Sequence, residues 1–119
     1  MSIKESTIEN DGRKYALSLG IACYKFKSDN NRAVPDRLFI NQYGVTFYIE
    51  YKREGQKPTD QQKRKAKEMG HPMTPIFWAD SKEVSRQIID LCADLQIPRG
   101  LISTALVCGL DEKYTCFDL

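Results

Sequence analysis

The 119-residue chain predicts a mixed α/β layer structure, and three observations carry that reading. Its segments switch between helical and strand periodicity in the order helix, three strands, helix, strand, helix. The run from Val45 to Lys52 is rich in β-branched and aromatic residues, as a half-buried strand should be. Hydrophobic residues make up 41% and charged residues 29%, the proportions of a globular domain able to bury a core without metal or disulfide staples.

Ile3 to Leu19 places Ile8, Tyr15, Ala16 and Leu19 at helical spacing, with Glu5 and Glu9 one turn apart on a shared face. Asn10-Asp11-Gly12 is a turn-type cluster within it, so the helix is expected to be irregular there or to begin only at Arg13. Gly20 stops the helix, and Ile21 to Lys27 reads as a strand. The polar run Ser28 to Val34 is a loop, and Pro35 opens a second strand at about Asp36 to Asn41. Asn41 to Gly44 is a hairpin turn leading into the Val45 strand.

Thr59 is suited to cap a basic helix, Asp60 to Met69, that ends at Gly70. Thr74 to Ala79 is a short apolar strand, and Pro75 argues for an edge or bulge at its start. Asp80 or Ser81 caps a last amphipathic helix reaching about Leu95, with Val84, Ile88, Leu91 and Leu95 in register. The apolar run Leu101 to Leu110 fits either a strand or a short helix.

Composition narrows the function classes. No apolar run approaches the roughly 20 residues of a membrane span, and the polar start from Met1 to Asn10 does not read as a signal peptide. A cytoplasmic location is expected. Cys23, Cys92, Cys108 and Cys116 form no CxxC pair, and His71 is the single histidine, so zinc-ligand spacing is absent. The net charge of +2 hides an asymmetry: Arg13 to Lys67 holds 13 Lys/Arg against 5 Asp/Glu, and Glu68 to Leu119 holds 4 against 8. Either a basic face meets a polyanion or a basic helix is simply solvated.

One constellation carries chemistry. Asp36 follows Pro35 at the start of one strand, and Glu50 and Lys52 sit at i and i+2 on the next, on one face. Val45, Phe47, Ile49 and Tyr51 form the opposite, apolar face. Two converging carboxylates make a hard-oxygen site suited to Mg²⁺ or Mn²⁺, and a neighbouring lysine favours their ionised forms. The alternative is an Asp–Lys–Glu network on an edge strand.

Lys25-Phe26, Pro35-Asp36-Arg37, the Gly44 hairpin, Glu50-Tyr51-Lys52, Pro58-Thr59, Gln62 and Gly70 follow one another in an order that resembles the VRR-NUC family of the PD-(D/E)XK nuclease superfamily. The match covers about Glu5 to Leu95. The resemblance implies a restriction-endonuclease-like core, a central mixed sheet of about four strands flanked by helices. It implies a nuclease domain over residues 1–96 and a C-terminal extension, 97–119, packed on the domain or at a dimer interface. The implied activity is a Mg²⁺- or Mn²⁺-dependent DNA endonuclease for branched DNA such as four-way junctions.

Carried over by position, Asp36, Glu50 and the backbone carbonyl of Tyr51 would be metal ligands and Lys52 the catalytic lysine. Glu9 would be the helix glutamate, with Glu5 as runner-up, and Gln62 would support the site. Lys25, Lys27, Arg32, Arg37, Arg53, Lys57, Lys63 and Arg64 would face DNA phosphates, with Lys65 and Lys67 nearby. No helix-turn-helix, zinc finger or stacking motif accompanies them, so readout of phosphate and shape is expected. One site per chain makes paired cuts a task for a homodimer. No membrane and no nucleotide cofactor is expected. The rivals are an endonuclease or nickase on linear duplex and a non-catalytic, structure-selective DNA-binding module.

Overall fold

A computed structural model describes residues 3–26, 35–69, 75–96 and 110–115. Within them lie α1 (Glu5–Ser18), β1 (Ala22–Lys25), β2 (Arg37–Ile40), β3 (Thr46–Tyr51), α2 (Asp60–Met69), β4 (Ile76–Ala79) and α3 (Lys82–Ala93). A 3₁₀ turn, Glu112–Tyr114, follows. Lys27, Arg32, Gly70, His71, Thr74, Cys108, Cys116 and the apolar residues 101–109 lie outside the described residues.

The four strands form one sheet in the order β1-β2-β3-β4. The first two pairings are antiparallel and the third is parallel, so the sheet is mixed. The antiparallel pairs need only turns, whereas the parallel β3–β4 pair needs a crossover, which α2 occupies. Gly44 takes φ 78° in the β2–β3 turn, where a side chain would be strained. Pro75 has no N–H to give, and it stands just ahead of β4 with its carbonyl accepting from Tyr48 N at 3.0 Å.

The alternation read in β3 holds: Val45, Phe47, Ile49 and Tyr51 are buried on the face that α1 and α3 cover. Ile8 and Ala16 of α1, Ile21 before β1, Phe39 of β2, Phe77 and Ala79 of β4, Ile88, Ile89 and Cys92 of α3, and Leu110 pack into that core. The buried stripe of α3 is Ser85, Ile88, Ile89 and Cys92, one step round from the expected one, and Val84, Leu91 and Leu95 pack at its margin. Ser81 caps this helix by accepting from Val84 N at 3.1 Å. Leu19 is exposed rather than part of the α1 face.

The expected break in the first helix does not occur: α1 runs unbroken from Glu5 through Gly12. The physical reason is tertiary. A Cβ on Gly12 would overlap Tyr51 Oη and lie 2.8 Å from Ser85 Oγ. Glycine here lets α1 approach β3 and α3 closely, and that packing outweighs its low helix propensity. Two polar ties lock α1 to α3 at the rim: Arg86 grips Asp11 with two hydrogen bonds, and Tyr15 Oη donates to Asp90 Oδ1.

Asn41 performs a similar service at the β2–β3 turn. Its Oδ1 accepts from Tyr43 N and Val45 N, and its Nδ2 donates to the carbonyls of Cys92 and Leu95. The turn is thereby tied to the C-terminal end of α3. Residues 110–115 run beside β4, where Thr115 bridges Phe77 and Trp78 Nε1 donates to Lys113 O.

Candidate active site

The β2–β3 register places Arg37 opposite Ile49, which brings Asp36 to Glu50 at the end of the pair. Asp36 Oδ2 accepts from Tyr51 N at 2.9 Å. Tyr51 is anchored on its other side too, because its buried hydroxyl shares a 2.8 Å hydrogen bond with Ser85 Oγ. The residue expected to offer a carbonyl to a metal is thus held at both backbone and side chain.

Glu50 is 6% exposed, and its carboxyl hydrogen-bonds with that of Asp36. Burial, followed by the Asp36 charge, pushes its pKa up to about 9. Burial also raises Asp36, against the lowering effect of the Tyr51 N–H. At neutral pH the pair shares a proton that a cation would displace. Lys52 Nζ stands 4.0 Å from Glu50 Oε1, on the same face and only 13% exposed along its side chain.

Gln62 reaches this group from α2. Its Nε2 donates to Glu50 Oε1 at 2.9 Å. Its Oε1 accepts from Thr59 N at 2.9 Å, and its own N–H donates to Thr59 Oγ1 at 3.1 Å. This reciprocal pair is a capping box, spelled in the sequence as Thr59-x-x-Gln62, which goes beyond the Thr59 cap expected there.

From α1, Glu5 and Glu9 bring carboxylate oxygens into one group with Asp36, all within 4.8 Å of one another. The two glutamates have different surroundings. Glu9 Oε2 accepts from Arg37 Nε at 2.9 Å and Nη2 at 2.8 Å, with Lys25 Nζ at 3.8 Å. Burial, then the Asp36 charge, raises Glu5.

The residues expected on DNA separate into two sets. Arg37 is 12% exposed along its side chain and turned onto Glu9, so its guanidinium orders a carboxylate rather than lining the outer surface. Lys25 lies half exposed at the end of β1, and Arg53, Lys57, Lys63 and Arg64 are exposed along the β3–α2 connection and α2. Lys65 pairs with Glu68 at 2.9 Å. Sequence reasoning missed the inward Arg37–Glu9 pair, which joins residues 28 apart with no local signal.

The carboxylate oxygens that lie close enough together to share a cation come from Glu5 and Glu9 of α1 and from Asp36 just before β2, a set that fits a hard divalent cation. Glu50 joins it through its hydrogen bond with Asp36. No helix among the described residues is long and apolar enough to cross a membrane.

A mixed four-strand sheet flanked by helices, with this acidic group at the end of β2 and β3, defines a restriction-endonuclease-like α/β protein. No family model matches the chain. It is 34% identical over 83 residues to a protein described as "Putative nuclease p44" from Acyrthosiphon pisum secondary endosymbiont phage 1, covering 70% of this chain and 89% of that one. A solved structure described as a VRR_NUC domain superposes with a TM-score of 0.67 at 22% identity, covering 72% of this chain and 94% of that one. The chain belongs to the VRR-NUC family.

Proposed function

We propose that this protein is a Mg²⁺- or Mn²⁺-dependent DNA endonuclease that hydrolyses phosphodiester bonds in branched DNA such as four-way junctions. The observation that carries the reading is the meeting of Asp36 and Glu50 across β2 and β3, with Lys52 4.0 Å from the Glu50 carboxylate. A catalytically idle DNA-binding module has no use for a buried carboxyl pair beside a lysine, because such a group costs stability when nothing neutralises it.

In this reading Asp36, Glu50, the Tyr51 carbonyl and Glu9 would hold the cation, and Glu5 stands in one carboxylate group with Glu9 and Asp36. When bound, the metal offsets charge on a phosphoryl oxygen and makes water more acidic. The rest is done by the chain. Arg37 occupies Glu9 Oε2 and leaves the second oxygen of that carboxylate to face the centre. Gln62 holds Glu50 through the α2 cap. Lys52 orients the attacking water or stabilises the charge gathering on the pentacovalent phosphorus. The water oxygen bonds to phosphorus and gives up a proton as the P–O bond to the leaving strand breaks, and the leaving oxygen takes up a proton.

The exposed cations from Arg53 to Arg64 support phosphate contacts and a readout of shape rather than of base sequence. One site per chain supports a homodimer for paired cuts across a two-fold junction. The test is cleavage of labelled four-way, flap and linear DNA in Mg²⁺ and in Mn²⁺. Preferred cutting of the junction supports the reading. Equal rates on all substrates remove the junction preference, and binding without cutting in either metal removes the nuclease.

A further inference from the structure

Beside the carboxylate group, the first turns of α1, the end of β1 and the turn after β3 border an open cavity of about 560 Å³. Lys4, Glu5, Ser6, Glu9, Lys25 and Arg53 line it. A divalent cation with six waters at ~30 Å³ each takes up only ~180 Å³. The space is therefore larger than the metal needs.

Its walls are joined by a clasp between segments 51 residues apart: Glu54 N donates to Ile3 O at 3.2 Å, and Ile3 N donates to Glu54 Oε2 at 3.2 Å. The clasp sets Lys4 next to the turn that carries Arg53. It also turns the Glu54 carboxylate onto a backbone N–H, and Glu54 is not among the lining residues. Of the two acids that do line the cavity, Glu9 is already matched by Arg37. By formal charge the lining sets Lys4, Lys25 and Arg53 against Glu5 and Glu9, with Lys25 Nζ 3.8 Å from Glu9, and this rim opens directly off the acidic centre.

We propose that this cavity seats one phosphodiester of the DNA strand beside the carboxylate centre, and that Lys4 contacts its oxygens together with Lys25 and Arg53. The proposal rests on the nuclease reading and adds to it a path: the bound strand leaves the centre over the first turn of α1. Lys4 is exposed and its side chain makes no capping hydrogen bond, so replacing it leaves the helix start intact.

The test pairs a variant with a modified substrate. Binding of junction DNA carrying single neutral methylphosphonates along each strand is measured in Ca²⁺ for the wild-type protein and for Lys4→Ala. The variant should bind all-phosphate DNA about tenfold more weakly, the size of one charge-assisted contact, with a salt slope lower by about one unit. At one position the methylphosphonate should weaken the wild type clearly more than it weakens Lys4→Ala, which keeps only Lys25 and Arg53 at that phosphate. Elsewhere the two proteins should lose equally. Unchanged affinity in Lys4→Ala, or equal losses at every position, overturns the proposal. Because the readout is affinity, a wild-type protein that fails to cut in Mg²⁺ or Mn²⁺ rejects the nuclease reading separately.

Discussion

Gln62 donates its amide to Glu50 Oε1 at 2.9 Å while its carbonyl oxygen accepts the N–H of Thr59, so one side chain both caps α2 and holds a buried carboxylate. The cap settles which way the amide points. With Oε1 committed to Thr59, only Nε2 can face Glu50.

This double use separates two variants. Gln62→Glu keeps a cap acceptor for Thr59 N but places an acceptor where Glu50 needs a donor. Gln62→Ala removes both functions. If positioning of Glu50 matters, both variants should lower kcat by about ten- to a hundredfold, the range seen when a metal ligand loses its supporting partner. Thermal melts should show Gln62→Glu close to the wild type and Gln62→Ala less stable by about 1 kcal/mol. A Gln62→Glu protein with wild-type kcat would reduce Gln62 to a helix cap.

The carboxyl pair makes the metal-free protein sensitive to base. Glu50 has an ordinary pKa of 4.5 in the unfolded chain and about 9 when folded, so the folded state retains a proton between those values. Its stabilising contribution is complete below about pH 4.5 and is lost as pH rises towards 9. Melting temperature in EDTA should therefore fall across that window, by roughly 3–6 °C for each kcal/mol lost. Glu50→Gln should flatten the fall, and Mg²⁺ should restore the wild type at the alkaline end. A wild-type profile as flat as that of the variant would contradict the assigned burial of this pair.

At Gly12 an alanine should cost about 3 kcal/mol by overpacking, although Gly→Ala inside an exposed helix normally stabilises. The nearest obstacle is Tyr51 Oη. Adding Tyr51→Phe should recover part of the loss, and chemical denaturation of the three variants checks both statements.

How far these relationships could be read without coordinates depends on their span. The β3 face pattern, with Glu50 and Lys52 opposite Val45, Phe47, Ile49 and Tyr51, is a two-residue periodicity and was fully legible. So was the meeting of Asp36 with Glu50, because a short hairpin leaves little freedom of register. The boundaries of α2 were legible from Thr59 and the basic run. Gly12 misled because local propensity argues for a break, whereas the deciding contacts come from β3 and α3. Arg37 read as a surface cation because its partner Glu9 lies on another element. The Ile3–Glu54 clasp pairs a backbone hydrogen bond with one from Ile3 N to the Glu54 carboxylate across 51 residues, a span that leaves no local pattern.

Lys52 and Lys63 should separate chemistry from binding. Lys52→Ala should lower cutting by at least about a hundredfold, the loss expected when a transition-state charge partner is removed, and leave DNA affinity nearly unchanged. Lys63→Ala should weaken binding and reduce the salt slope by about one unit, since Lys63 is exposed on α2. Single-turnover rates and binding isotherms over a salt series check the pair. Normal cutting by Lys52→Ala would place the chemistry elsewhere.

The most direct test of the central claim is single-turnover cleavage of a labelled four-way junction, comparing wild type with Asp36→Ala in Mg²⁺, Mn²⁺ and EDTA. The account predicts metal-dependent cutting by the wild type, none in EDTA, and none by Asp36→Ala even though it still binds the junction. A wild-type protein that binds but never cuts, or an Asp36→Ala protein that cuts at the wild-type rate, would contradict it.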